Sequence, residues 1–78
     1  MNFGKAFKEI REEQNLSRTE VARMICVHPS ALSKIENGRT KPKHKTIEAF
    51  CAICRIPVAR FYCLALEPQD FGAVDPIR

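Results

Sequence analysis

The stretch "LSRTEVARMICVHPSALSKIENGRTKP", residues 16–42, decides the fold of this chain. Ser17 is followed three residues later by Glu20, the pattern of a capping box, which predicts a helix that starts at Ser17. Pro29 suits the first position of a further helix, because the backbone N–H that proline lacks has no helical partner there. Gly38 then ends that helix. Only the tripeptide "CVH" separates the two predicted helices, so they must cross steeply, as in a helix-turn-helix.

Helical periodicity continues on both sides of this stretch. A first helix is predicted over residues 2–14, a fourth over about 45–55, and a fifth from Pro57 onward. The apolar positions of these three helices are Phe3, Phe7, Ile10, Ile47, Phe50, Cys51, Cys54, Val58, Phe61, Tyr62 and Ala65. We therefore predict an all-α fold, a compact five-helix bundle in one domain over residues 1–66. Residues 67–78 are rich in proline and lack a period, so we predict a flexible C-terminal tail.

The positive charge is concentrated in one segment. The formal net charge of the chain is +4, and the segment from Lys34 to Lys45 alone accounts for it, since the remaining eight basic residues balance eight acidic ones. The basic residues of the segment are Lys34, Arg39, Lys41, Lys43 and Lys45, with Glu36 as its one acid. A concentrated patch of this kind suits a polyanion. The alternative is an ordinary solvated loop.

The third predicted helix has one polar face. At about 100° per residue, the side opposite Leu32 and Ile35 carries short polar groups and one ammonium group. These residues are Ser30, Ser33, Lys34 and Asn37. Lys34 can donate to the O6 and N7 acceptors of guanine, a serine can donate or accept, and the Pro29 ring can touch a thymine methyl. The sequence thus predicts base contacts from Pro29, Ser30, Ser33 and Lys34. The alternative is a surface helix with an ordinary polar exterior.

Phosphate contacts are expected around this helix. Arg18 lies in the first turn of the second helix, where a cation is unfavourable unless it shares an anion with the free N–H groups. His28 precedes Pro29, so its ring can cap the third helix, bind a phosphate, or do neither. The predicted phosphate contacts are Arg18, His28, Asn37, Arg39, Lys41, Lys43 and Lys45.

The same stretch resembles the Cro/C1-type helix-turn-helix family, also called the Xre family. The resemblance runs from about Phe3 to Tyr62, and "SKIENGRTKP" carries its most specific part. It implies a lambda-repressor-like five-helix domain that binds double-stranded DNA as a dimer on palindromic operators, with the third helix in the major groove. It also implies that Pro29, Ser30, Ser33 and Lys34 face bases, that Arg18 takes the place of a phosphate-binding glutamine, and that Arg11 and Glu36 form a structural ion pair.

The chain departs from the family pattern at four positions. Cys26 and Arg55 replace glycines, so either these turns hold a non-glycine at positive φ or their backbone is shifted. His44 replaces a leucine that often packs at the start of the fourth helix. Pro29 replaces a polar residue that many relatives use to contact bases.

Other classes of function fit less well. The C-x-x-C pair Cys51 and Cys54 invites a metal site, but it lies inside a predicted helix, where a cysteine is a small hydrophobic residue. A redox switch at Cys26 or Cys63 is a further alternative. No glycine-rich phosphate loop or paired carboxylates accompany the two histidines, so we expect no enzyme, cofactor or metal. The chain lacks an apolar run near 18 residues and a signal peptide, and we expect no membrane contact and a cytoplasmic location.

These observations predict a dimeric, sequence-specific transcriptional regulator, most simply a repressor. The fifth helix, with the tail as a further candidate, is expected to form the dimer contact, and its candidate residues are Val58, Phe61, Tyr62 and Leu64. A monomer with a larger core is the alternative. The competing function is a protein-interaction module, such as an antitoxin that binds a toxin through its C-terminal segment. Its anchors would be Phe71, Val74 and Ile77.

Overall fold

The computed structural model describes residues 1–68 and contains five α-helices in that part of the chain. They are α1 (Phe3–Glu13), α2 (Arg18–Met24), α3 (Pro29–Glu36), α4 (His44–Cys54) and α5 (Val58–Ala65). The all-α prediction with five helices is confirmed, and the predicted bounds differ from these by one or two residues. Residues 69–78, which hold most of the predicted tail and all three of its anchor residues, lie outside the described residues.

The helix ends follow the capping signals of the sequence. Ser17 caps α2, since its hydroxyl accepts a hydrogen bond from the Glu20 amide at 3.0 Å. The Glu20 carboxylate in turn accepts one from the Ser17 amide at 2.9 Å, which completes the predicted capping box. Pro29 is the first residue of α3, and His28 is its N-cap. Each of these caps satisfies backbone donors that a helix cannot satisfy itself.

Within residues 1–68, three residues other than glycine adopt the left-handed conformation. Asn15 (φ 58°) ends the first helix region, Cys26 (φ 61°) forms the turn between α2 and α3, and Arg55 (φ 58°) ends α4. The turns at Cys26 and Arg55 therefore hold a side chain at positive φ instead of shifting their backbone. At Cys26 and at Arg55 this conformation costs on the order of 1–2 kcal/mol relative to a glycine. The turn at Cys26 is nevertheless closed by a hydrogen bond of 2.9 Å from the Val27 amide to the Ala22 carbonyl.

Three phenylalanine rings form the centre of the core. Phe7 stacks on Phe50 with ring centroids 4.5 Å apart and meets Phe61 edge-on at 5.1 Å. All three rings are fully buried. They join α1, α4 and α5, and the side chains of α2 and α3 that pack on this core are Val21, Ala22, Leu32 and Ile35. The α2–α3 pair thus shares one hydrophobic core with the three rings.

A glycine lets α1 approach the end of α3 closely. A Cβ atom at Gly4 would lie 2.6 Å from the carbonyl oxygen of Ile35 and would also collide with the backbone of Glu36. Gly4 is buried in the middle of the first turn of α1. Its missing side chain therefore sets the distance between the two helices.

None of the helices within residues 1–68 combines the length and the apolar character needed to cross a lipid bilayer.

Candidate nucleic-acid interface

One face of α3 is open to solvent and polar. Pro29, Ser30 and Lys34 are exposed, and Ser33 is half-buried. The opposite side holds the helix to the core, since Leu32 is fully buried and Ile35 is 6% exposed. The four predicted base-contact residues therefore lie together on the outer side of one helix, in reach of a flat or grooved partner.

Glu36 anchors the C-terminal end of α3. Its side chain is 2% exposed and accepts two hydrogen bonds from Arg11 of α1, from Nε to Oε2 at 2.8 Å and from Nη2 to Oε1 at 3.2 Å. Arg11 also donates from Nη1 to the Leu16 carbonyl at 2.9 Å, which holds the turn between α1 and α2. A planar guanidinium suits this bidentate arrangement, in which the buried charge of Glu36 is matched by a buried cation.

Arg18 extends this ion pair to the second helix. Its Nε donates to Oε1 of Glu36 at 3.0 Å, although 47% of its side chain is exposed. Neither of its terminal nitrogens has a hydrogen-bond partner within residues 1–68. Glu36 thus orients Arg18 at the start of α2, and the free N–H groups of Arg18 can bind a further anion.

The basic segment keeps its charge at the surface. Because Glu36 is buried between two arginines, it does not offset the neighbouring cations where a partner would meet them. None of these cations forms an ion pair with another of residues 1–68, and all are exposed. They are Lys34, Arg39, Lys41, Lys43 and Lys45. Their arrangement around one helix is an electrostatic surface suited to a row of phosphates.

The phosphate-contact candidates lie at both ends of α3. His28 lies at its N-terminal end, whereas Arg18, at the start of α2, contacts Glu36 at its C-terminal end; both are exposed. Asn37 is the C-cap of α3, and its side-chain Nδ2 donates to the Ser33 hydroxyl at 3.4 Å. The remaining candidates are Arg39 and Lys41 in the following loop, Lys43 at the N-cap of α4 and Lys45 in its first turn.

His28 occupies the cap of α3. Its Nδ1 accepts a hydrogen bond from the Ser30 amide at 3.1 Å and lies 2.8 Å from the Ser30 hydroxyl. The ring is therefore held beside Ser30, one of the base-contact candidates of the helix.

Gly4 is a residue of this site that the sequence analysis missed. It supports the end of α3 from behind, where Glu36 and Ile35 present their carbonyl groups to α1. A glycine inside a helical pattern signals a packing constraint, and that signal was present in the sequence.

The predicted dimer contact on α5 needs a correction. Phe61 is fully buried against Phe7 and Phe50 of the same chain, so it belongs to the core of the protomer and is not available to a second subunit. Tyr62 is half-buried, stacks on His44, and is joined to that ring by a contact of 2.8 Å between its hydroxyl and Nδ1. Val58 and Leu64 are also half-buried.

The cysteines divide into two pairs. Cys51 and Cys54 are buried in α4, and burial raises the pKa of both thiols; the neighbouring Cys54 raises that of Cys51 further. Cys26 and Cys63 are exposed. No three His, Cys, Asp or Glu side chains within residues 1–68 come together in a group that could hold a metal ion.

Comparison with known proteins adds the family. A family profile described as helix-turn-helix matches residues 7–61. RghRB of Bacillus subtilis strain 168, an uncharacterized HTH-type transcriptional regulator, is 31% identical over 70 residues, which cover 88% of this chain and 50% of that protein. The ImmF control region 10 kDa protein of Bacillus phage phi105 is 27% identical over 73 residues, which cover 94% of this chain and 81% of that protein. The chain thus spans about half the length of the first relative.

Solved structures agree on the fold. The crystal structure of the clp gene regulator ClgR from Corynebacterium glutamicum matches with a TM-score of 0.81 at 24% identity, covering 92% of this chain and 77% of that one. A second structure of the same regulator gives a TM-score of 0.77 at 23% identity. Because the family profile matches residues 7–61, the chain belongs to the Cro/C1-type helix-turn-helix family of DNA-binding transcriptional regulators.

Proposed function

We propose that the protein represses transcription in the cytoplasm by binding a palindromic DNA operator as a homodimer, with α3 in the major groove. The observation that carries this proposal is the pairing of an exposed, small-residue face on α3 with five exposed cations around it. The acid among them, Glu36, is turned inward onto Arg11 and Arg18. A protein surface with this charge and shape complements a groove bounded by two rows of phosphates.

The contacts fall into two classes. Pro29, Ser30, Ser33 and Lys34 contact base edges. Arg18, His28, Asn37, Arg39, Lys41, Lys43 and Lys45 bind phosphates. Phosphate contacts position the helix without selecting a sequence, and base contacts provide the selection. Lys34 is the one long cation on the α3 face, and it is suited to the O6 and N7 acceptors of a guanine.

The dimer places two copies of α3 in successive major grooves, with half-sites about 34 Å apart. Because Phe61 is buried in the core of one chain, the contact uses the half-buried residues of α5, which are Val58, Tyr62 and Leu64. The names of the relatives favour a regulatory role, since one is called an HTH-type transcriptional regulator and another a control region protein.

Selection of bound duplexes from a random DNA pool tests this proposal. We expect one enriched motif made of two inverted half-sites whose centres are one helical turn apart. Light scattering on the free protein and on the complex measures the number of chains. A pool that shows no enrichment at low salt contradicts DNA binding, and a single half-site with one chain bound contradicts the dimer.

A further inference from the structure

At the cap of α3, the side chains of His28 and Ser30 are arranged so that the positions of the imidazole proton and the hydroxyl proton are both fixed. Nδ1 of His28 lies 3.1 Å from the amide nitrogen of Ser30 and 2.8 Å from its hydroxyl oxygen. Both residues are exposed, and Ser30 is the second residue of α3, among the positions that a recognition helix presents to base edges.

The backbone amide decides which ring nitrogen carries a proton. An amide N–H can only donate, so Nδ1 must accept and carry no hydrogen of its own. A neutral His28 ring therefore holds its proton on Nε2, which points away from the cap. Since the hydroxyl oxygen of Ser30 is 2.8 Å from the same unprotonated nitrogen, two acceptors would face each other unless the hydroxyl proton points at Nδ1. The hydroxyl of Ser30 thus donates its proton in a hydrogen bond to Nδ1 of His28.

We propose that His28 determines base specificity through Ser30. With its proton held by Nδ1, Ser30 offers only lone pairs to the groove and accepts hydrogen bonds there. In the major groove, the donors are the N6 amino group of adenine and the N4 amino group of cytosine. A serine with a freely rotating hydroxyl accommodates donors and acceptors alike, whereas this serine selects a base that presents an amino group. The inference rests on the proposed function, because Ser30 must face the groove.

The first test removes single groups from DNA and leaves the wild-type full chain unchanged. Random-pool selection with wild type and Ser30→Ala identifies the base pair whose preference depends on Ser30. In a duplex with that motif, the amino group at this position is deleted, by purine in place of adenine or the 4-deamino pyrimidine in place of cytosine. A second duplex carries a 7-deazapurine in the same pair, which removes the N7 acceptor. One neutral hydrogen bond corresponds to about a fivefold change in affinity.

We expect loss of the amino group to weaken wild-type binding about fivefold and to leave Ser30→Ala unaffected. The 7-deaza change should not alter wild-type affinity. The reverse pattern, with a penalty for 7-deaza and none for the amino deletion, overturns the inference. If no motif is enriched at all, the proposed function itself fails, whereas a motif without any amino dependence overturns only the role of His28.

Two variants and one spectrum distinguish the capping of α3 by His28 from its effect on the hydroxyl proton of Ser30. His28→Asn keeps an acceptor at the cap, and we expect it to retain the preference for an amino group at this position. His28→Ala releases the hydroxyl, so that position should accept other bases, while thermal melts show whether α3 remains folded. Ring nitrogen chemical shifts of the free protein, at a pH where the imidazole is neutral, should show the proton on Nε2. A proton on Nδ1 overturns the inference independently of DNA.

Discussion

Replacing Glu36 with glutamine tests how α3 is held in place. The carboxylate is 2% exposed, and Arg11, its main partner, has a side chain that is 11% exposed. Removing one partner of a buried ion pair costs about 3–5 kcal/mol, because the other charge stays buried without compensation. A glutamine oxygen still accepts one hydrogen bond, and Arg11 keeps its bond to the Leu16 carbonyl, so the lower end applies. We expect Glu36→Gln to lower the free energy of unfolding by about 3 kcal/mol.

The assay is urea or thermal unfolding followed by circular dichroism. For a domain of this size, about 3 kcal/mol corresponds to a fall in Tm of roughly 12–24 °C. The matched control is Glu48→Gln, which removes the same charge from a side chain that is 56% exposed and that, among residues 1–68, pairs with His44 alone. Such an exposed pair within one helix contributes about 0.5 kcal/mol or less. Equal losses in the two variants would refute the argument that burial makes Glu36 important.

A substitution at Arg18 tests whether its role is in DNA binding or in the stability of the fold. Because 47% of its side chain is exposed, its bond to Glu36 is screened by solvent, and Arg18→Ala should cost no more than about 1 kcal/mol in unfolding. DNA affinity should nevertheless fall, since the terminal nitrogens of Arg18 would no longer reach a phosphate. A large loss of stability with unchanged affinity contradicts this assignment.

Three further predictions concern the surface and the helix contacts. Gly4→Ala should lower the free energy of unfolding by about 1–3 kcal/mol, measured by urea denaturation, because the added Cβ collides with the end of α3. Lys34→Ala should relax base preference at one operator position, whereas Lys43→Ala should weaken all sequences equally and reduce the salt slope by about one ion; titrations at several salt concentrations distinguish them. Hydrogen bonds from the Ser17 amide and hydroxyl lower the pKa of Glu20 below its ordinary value of 4.5, so its contribution to stability is present above that value and is lost as pH falls through the folded pKa. The difference in Tm between wild type and Glu20→Gln should therefore vanish in acid.

The sequence predicted those features of the fold that depend on neighbours along the chain. Ser17 and Glu20 are three residues apart, and Pro29 acts on its own helix, so both signals could be recognised without a tertiary structure. The helix period likewise identified the buried faces of α1 and α4.

Other features depend on contacts between residues that are distant in the sequence, and helical periodicity could not predict them. An apolar helix face shows that α5 is buried but not against what, and Phe61 is packed in its own chain instead of facing a second one. The bond between Arg18 and Glu36 joins residues on two helices, and nothing in either local pattern indicates it. The role of Gly4 depends on backbone atoms of α3 that lie more than thirty residues away.

Because α3 is short, the residues that hold it in the fold differ from those on its exposed face. An isolated helix of eight residues is unstable in water, so α3 must be stabilised by the rest of the fold. It is held at its start by His28, in its middle by Leu32 and Ile35, and at its end by Glu36 against α1. Of these contacts, only the His28 cap uses the exposed side, through Ser30. The other exposed residues of α3 can therefore be exchanged with little effect on stability, and a change of operator needs no change in the fold. Gly4 and Glu36 lack this freedom, because every base contact depends on where they place the helix.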